Sequence, residues 1–128
     1  MEFESKPIGR EVSAVFYGVD GHLLNDTAFL EKVVLEGLEK SGFHILGALN
    51  HKFSPRGYTL SILLSESHLA MHTYPEFGSV YIGFYSCKGE FHGKSSIDYL
   101  VEMLKPTTTV MRMNNVVVKS NAVLKDFQ

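Results

Sequence analysis

Tryptophan is absent from this 128-residue chain, and cysteine occurs once, at Cys87. A single thiol excludes an intrachain disulfide, so a packed core must hold the fold, and a cytoplasmic setting is expected. Basic blocks are missing too. Twelve Lys and Arg are scattered among fourteen Asp and Glu, for a net charge of -2. That leaves no electrostatic reason to expect nucleic acid or an anionic membrane as a partner. No apolar run approaches the ~20 residues of a membrane span. The first residues, MEFESKPIGR, lack the apolar segment of a signal peptide. No glycine-rich turn opens a helix to cradle phosphate, and there is neither a Gly-x-Ser-x-Gly elbow nor a dinucleotide or PLP fingerprint. His68 and His72 are four apart, but Glu does not follow His68 and the segment reads as strand, so no metal is expected.

What is present suits one domain over residues 1–128, since 45% of the residues are hydrophobic. Residues 11–17 read as a strand. Asn25 or Asp26 can cap a helix with an apolar stripe of Phe29, Leu30, Val33, Val34 and Leu38, stopped by Gly42. Strands are expected at 43–52, 58–65, 69–74 and 79–87. The last places Val80, Ile82, Phe84 and Ser86 on one face. A second helix starts near Ser95 or Ser96, buries Ile97, Leu100, Val101 and Leu104, and halts at Pro106. A closing hairpin, 107–113 with 115–119, is expected to turn near Asn114-Asn115. The pattern predicts an α+β, two-layer sandwich: a mostly antiparallel sheet with two helices packed on one face. The bare, partly apolar face calls for a second copy of the chain.

Residues 63–76, LLSESHLAMHTYPE, stand out. An apolar strand runs into a corner of two hydroxyls, a carboxylate and an imidazole, where Gly, Asn, Asp or Pro is usual. Ser67, His72 and Cys87 could form a nucleophile and proton-transfer set; a polar hairpin tip followed by a strand histidine accounts for the same residues. If 58–65 and 69–74 form one hairpin with its tip near Glu66, Thr59 lies opposite His72. Ser67 is then about 16 Å from His72 along the strand, too far for direct proton transfer.

Several segments together are similar to prokaryotic S-adenosylmethionine decarboxylases. Ser65-Glu66-Ser67-His68 and Met71-His72-Thr73-Tyr74-Pro75-Glu76 resemble that family's SESH and IHTWPE. His51-Lys52-Phe53-Ser54-Pro55 with Gly57 resembles its HKFSPxG, Tyr85-Ser86-Cys87 its F-T-C, and Ile8-Gly9-Arg10 its L-G-R. The resemblance implies self-cleavage between Glu66 and Ser67. Ser67 attacks the Glu66 carbonyl and becomes a pyruvoyl group, the Schiff-base cofactor, with neither metal nor PLP. By the same resemblance His72 is the processing base, Thr59 the processing hydroxyl and Cys87 the proton donor. Glu76 holds the ribose of a small-molecule substrate, Phe53 stacks on its adenine, and Tyr17 is a second ring. The implied product feeds polyamine (spermidine) synthesis. The family's dimers agree with the 16 Å gap: a homodimer with composite active sites would join Ser67 and Cys87 of one copy to Thr59, His72, Phe53 and Glu76 of the other.

Departures from the pattern are Glu11 for His, Leu60 for Gly, Gly83 for Asp, Tyr74 for Trp, and Ser79-Val80-Tyr81 for Y-A-A. Leu60 and Tyr81 are expected to narrow a nucleoside pocket. Glu76 could equally pair with a guanidinium or amine. A pyruvoyl-dependent arginine or ornithine decarboxylase is therefore an alternative, and a non-cleaving binding paralogue a second one.

Overall fold

The computed structural model of the chain describes residues 8–65, 67–87 and 93–118. Strand β1 (Ile8–Tyr17) leads through a short helix, α1 (Gly21–Leu24), into α2 (Thr27–Lys40). Strands β2 (Ile45–Lys52), β3 (Tyr58–Leu64), β4 (Ser67–Tyr74) and β5 (Ser79–Ser86) follow, with a 3-10 turn, Pro75–Phe77, between the last two. Helix α3 (Gly93–Leu104) and strand β6 (Thr108–Val117) complete the described chain. All neighbouring strands pair antiparallel, in the order β2-β3-β4-β5-β1-β6.

The helices form where local chemistry favours them. The Asp26 carboxylate accepts the Phe29 amide at 3.1 Å at the start of α2, satisfying one of the donors a helix leaves unpaired. Gly42, at φ 83°, carries the chain away after Ser41. Asp20 caps α1 in the same way, through the His22 amide at 2.8 Å. This short helix breaks no rule of the sequence pattern, but its single turn is too brief to show periodicity.

One sheet face is the floor of the core. Cross-strand rows Val12, Phe84, Leu69, Ile62 and Ala14, Ile82, Met71, Leu60 are buried there. They meet Leu30, Val33, Val34 and Leu38 of α2 and Ile97, Leu100 and Leu104 of α3. Each large apolar side chain contributes about 1.5–3 kcal/mol on burial. The helices are tied to each other by Ser96, whose hydroxyl donates to the Gly37 carbonyl at 3.1 Å. The opposite face, carrying Glu11, Ser13, Val15 and Tyr17 of β1 and the odd-numbered residues of β5, has no layer over it among the described residues.

Two expectations are corrected. The closing hairpin is absent: residues 108–117 form one strand, with Asn114 and Asn115 in register with Glu11 and Arg10. β1 offers this segment a continuous ladder, and Asn-Asn supplies no glycine to make a tight turn competitive. Residue 119 lies outside the described residues. Leu60 does not narrow a ligand pocket, because it faces the helices and is 0% exposed. Its even parity with Tyr58, Ile62 and Leu64 sends it to the core.

Candidate active site

Strand β4 carries the site. Its side chains alternate, with Ser67, Leu69, Met71 and Thr73 on the core face and His68, Ala70, His72 and Tyr74 on the open face. The five-residue gap between Ser67 and His72 is odd, so besides lying about 16 Å apart the two side chains leave opposite faces.

At the far end of β4, Thr59 stands directly opposite His72 in the β3–β4 ladder. Thr59 Oγ1 and His72 Nδ1 are 2.9 Å apart. When the hydroxyl donates to Nδ1, the proton of the neutral ring sits on Nε2; when Nδ1 carries the proton, Nε2 is free to act as a base. The Tyr81 ring stacks on His72 from the β5 side, with centroids 5.9 Å apart and planes at 28°. Tyr81 also lies in the room over Gly83, where a Cβ would stand 2.6 Å from its hydroxyl. A side chain at 83 and this ring placement exclude each other.

The loop between β2 and β3 delivers Phe53 to the same end. The Phe53 amide donates to the Gly57 carbonyl at 2.9 Å. Gly57 adopts φ +108°, a region L side chains rarely enter. The His51 ring meets Phe53 edge-on at 4.6 Å. Phe53 keeps 48% of its surface exposed, a face available for stacking. The 3-10 turn after β4 adds Glu76. Phe53, Arg56, Thr59, His72, Tyr74 and Glu76 line a cavity of about 370 Å³. A larger one, about 710 Å³, adjoins it through Arg56 and includes His22, Asn25 and Asp26, but none of the site residues expected from the sequence. The smaller cavity is the one with convergent chemistry.

The near end of β4 differs. Ser67 is opposite Ser86 and only 8% exposed, and its Oγ has no hydrogen-bond partner among the described residues. A buried hydroxyl in that condition costs about 1–3 kcal/mol. Cys87, just beyond β5, donates from Sγ to the Tyr85 hydroxyl at 3.3 Å. The Tyr85 ring stacks on His68, with centroids 5.8 Å apart. Donating its proton to the Cys87 sulfur, then burial, pushes the Tyr85 phenol above its ordinary value. Glu66 lies outside the described residues. Tyr17 ends β1 at the His72 end of the sheet but is not among the residues lining the Phe53 cavity.

The structure thus gathers Thr59, His72, Phe53 and Glu76 at one end and Ser67 with Cys87 at the other. Arg56 and Tyr74 were not anticipated as cavity residues, nor was Tyr85 as the partner of Cys87. Tyr74 and Tyr85 both left a trace in the sequence, because residues two apart on a strand share a face, Tyr74 with His72 and Tyr85 with Cys87. Among the described residues no three His, Cys, Asp or Glu side chains gather where a metal ion could be held, and no helix is long and apolar enough to cross a membrane.

A family model described as S-adenosylmethionine decarboxylase matches residues 10–115. The chain belongs to the S-adenosylmethionine decarboxylase family. It is 43% identical over 106 residues to an S-adenosylmethionine decarboxylase proenzyme of Brevibacillus brevis, covering 83% of this chain and 80% of that one. It is 38% identical over 109 residues to S-adenosylmethionine decarboxylase proenzyme 2 of Bacillus anthracis, covering 85% and 89%. Among solved structures, the adenosylmethionine decarboxylase of Aquifex aeolicus superposes with a TM-score of 0.82 over 91% of this chain and 96% of that one. At 22% identity that likeness speaks for the shared fold. The family is one of carboxy-lyases, so the α+β architecture and the enzyme class expected from the sequence both stand.

Proposed function

We propose that the chain is a self-processing S-adenosylmethionine decarboxylase of the cytoplasm, supplying the aminopropyl donor for spermidine synthesis, with a pyruvoyl group made from its own Ser67. The observation that carries this reading is the cavity where the Thr59–His72 pair, a half-exposed Phe53 and Glu76 converge. A base, a stacking ring and a carboxylate suit a nucleoside with an acidic Cα–H nearby. The Ser67 hydroxyl is buried and unpartnered among the described residues, as is that of Thr73; in Ser67, which also stands next to the expected cleavage point, that condition suits the role of precursor.

In processing, Ser67 Oγ attacks the Glu66 carbonyl and the peptide link becomes an ester. The Ser67 Cα proton passes to His72, the Cβ–O bond breaks, and Glu66 leaves as a carboxylate. Water then replaces the freed nitrogen as ammonia departs. The pyruvoyl carbonyl supplies the electron sink for an amine-linked substrate. The chain's other residues bind and move protons. Phe53 stacks on the adenine, Glu76 accepts hydrogen bonds from the ribose, and Cys87 gives a proton to the carbon that has lost CO2.

The Ser67–His72 gap, with the two on opposite faces, makes one copy insufficient. Two chains packed antiparallel on their open faces bring the Ser67–Cys87 end of each to the Thr59–His72 end of the other. Leu49 and Leu63, strongly exposed on that face, gain cover in such a dimer.

Intact mass tests processing, and CO2 release with S-adenosylmethionine, arginine and ornithine side by side tests substrate. A chain that stays uncut on long incubation refutes self-processing; release from arginine or ornithine alone refutes the substrate. Ser67→Ala and His72→Ala chains are each expected to remain whole, but co-expressed with distinguishable tags the His72→Ala chain is expected to be cut. Failure of that rescue, with both variants folded, removes the shared site.

A further inference from the structure

The ring of Tyr85 is held on three sides. It stacks on His68 at 5.8 Å and 27°. It lies across the backbone of Gly9, where any Cβ would overlap its hydroxyl. Its hydroxyl takes the Cys87 hydrogen bond at 3.3 Å. Glu11 is its cross-strand partner on β1. Both positions depart from the family pattern that the rest of the chain resembles, which has Phe before T-C and His after G-R. A phenylalanine ring at 85 would keep the stack on His68 and the fit over Gly9. Only the oxygen adds something new, and the oxygen meets the thiol.

We infer that Tyr85 is a positioning residue for Cys87, accepting a hydrogen bond from the thiol before proton transfer and donating one to the thiolate afterwards. The inference rests on the proposed role of Cys87 as proton donor. In that step the substrate carbon keeps the electron pair of the broken C–CO2 bond and takes the proton from Sγ. The negative charge appears on sulfur. Tyr85 keeps its own proton and turns it toward the thiolate, a charge-assisted bond roughly twice as strong as the neutral one it replaces. Water returns the proton to sulfur before the next turnover. The phenol's reluctance to ionise, caused first by its hydrogen bond with Cys87, keeps it protonated throughout. An interaction stronger after transfer than before favours the forward step.

Two measurements test this. Cys87 is the chain's one cysteine and Tyr85 one of six tyrosines, so tyrosinate absorbance can be followed against pH. Cys87→Ala is expected to move one tyrosine to lower pH, and to move none in a Tyr85→Phe background. The same tyrosine curve with and without Cys87 overturns the contact. In turnover, Tyr85→Phe is expected to self-cleave normally yet lose roughly tenfold in kcat, the low end for a hydrogen bond to a charged group, with KM within about twofold. On a Cys87→Ala background the same substitution is expected to cost nothing further. An equal loss on both backgrounds assigns Tyr85 to packing and overturns the inference. An unchanged rate in Cys87→Ala overturns the donor reading itself, whereas an unchanged rate in Tyr85→Phe beside a slowed Cys87→Ala overturns only the role of Tyr85.

Discussion

The two ends of β4 differ on the open face and agree on the core face, where Ser67 Oγ and Thr73 Oγ1 are both buried without a partner among the described residues. At the His72 end, on the open face, Thr59 Oγ1 bonds His72 Nδ1 and Tyr81 stacks on the imidazole. At the Ser67 end a buried hydroxyl has no partner among the described residues, although most buried polar atoms in folded proteins find one. On the proposed roles, His72 is a tool and Ser67 a reactant. A base must keep one orientation through many encounters, and neighbours supply that. A hydroxyl that is consumed in its only reaction gains nothing from a hydrogen bond it would have to break.

Substitution of Ser67 makes the largest break in this comparison. Ser67→Ala is expected to abolish cleavage and all decarboxylation, leaving one uncut mass. It is also expected to leave folding stability unchanged or raise it by about 1 kcal/mol in urea unfolding, because it deletes an unsatisfied group. A clear loss of stability would mean that the hydroxyl is structural. A smaller effect is expected at the other end. Thr59→Ala should slow cleavage by about tenfold, the worth of one hydrogen bond orienting the base, whereas Thr59→Ser should cleave at nearly the parent rate. Equal rates for both variants would mean that the methyl, not the hydroxyl, matters.

The smallest effect lies beneath the His72 end. Tyr58, opposite Thr73, is buried on the core face, and burial, then the nearby Glu31 charge, raises its phenol above 10.0. The folded state therefore holds this proton to higher pH than the unfolded chain does. That contribution is complete below about pH 10 and is lost as pH climbs through the raised value. Melting temperature is expected to fall on the alkaline side of pH 10, and less steeply in Tyr58→Phe. Identical alkaline limbs would exclude Tyr58 as their cause.

Local features were the most readable. The pairing of Thr59 with His72 follows from the hairpin expected with its tip near Glu66, since a short connection sets register. The caps at Asp26 and Gly42 follow from side-chain chemistry alone. The core-facing position of Leu60 could have been read from its alternation with Tyr58 and Ile62; resemblance to a glycine at that place obscured it. Strand β6 could not be read locally, because what straightens Asn114-Asn115 is β1, at the other end of the chain. Arg56 was hidden for the same reason. Its place between two cavities depends on where α1 and the 3-10 turn come to rest.

The strand order has a consequence for timing. A cut before Ser67 assigns β1, β2 and β3 to one piece and β4, β5 and β6 to the other. Along the sheet the pieces alternate, with β3 beside β4, and β1 wedged between β5 and β6. The severed halves are laced rather than merely touching, and separating them means opening three ladders. Made apart, the first piece would hold β1 with neither of its neighbours. The proposed cut would therefore come after the lacing is complete, and a molecule cut in this way would carry a record of having first been whole.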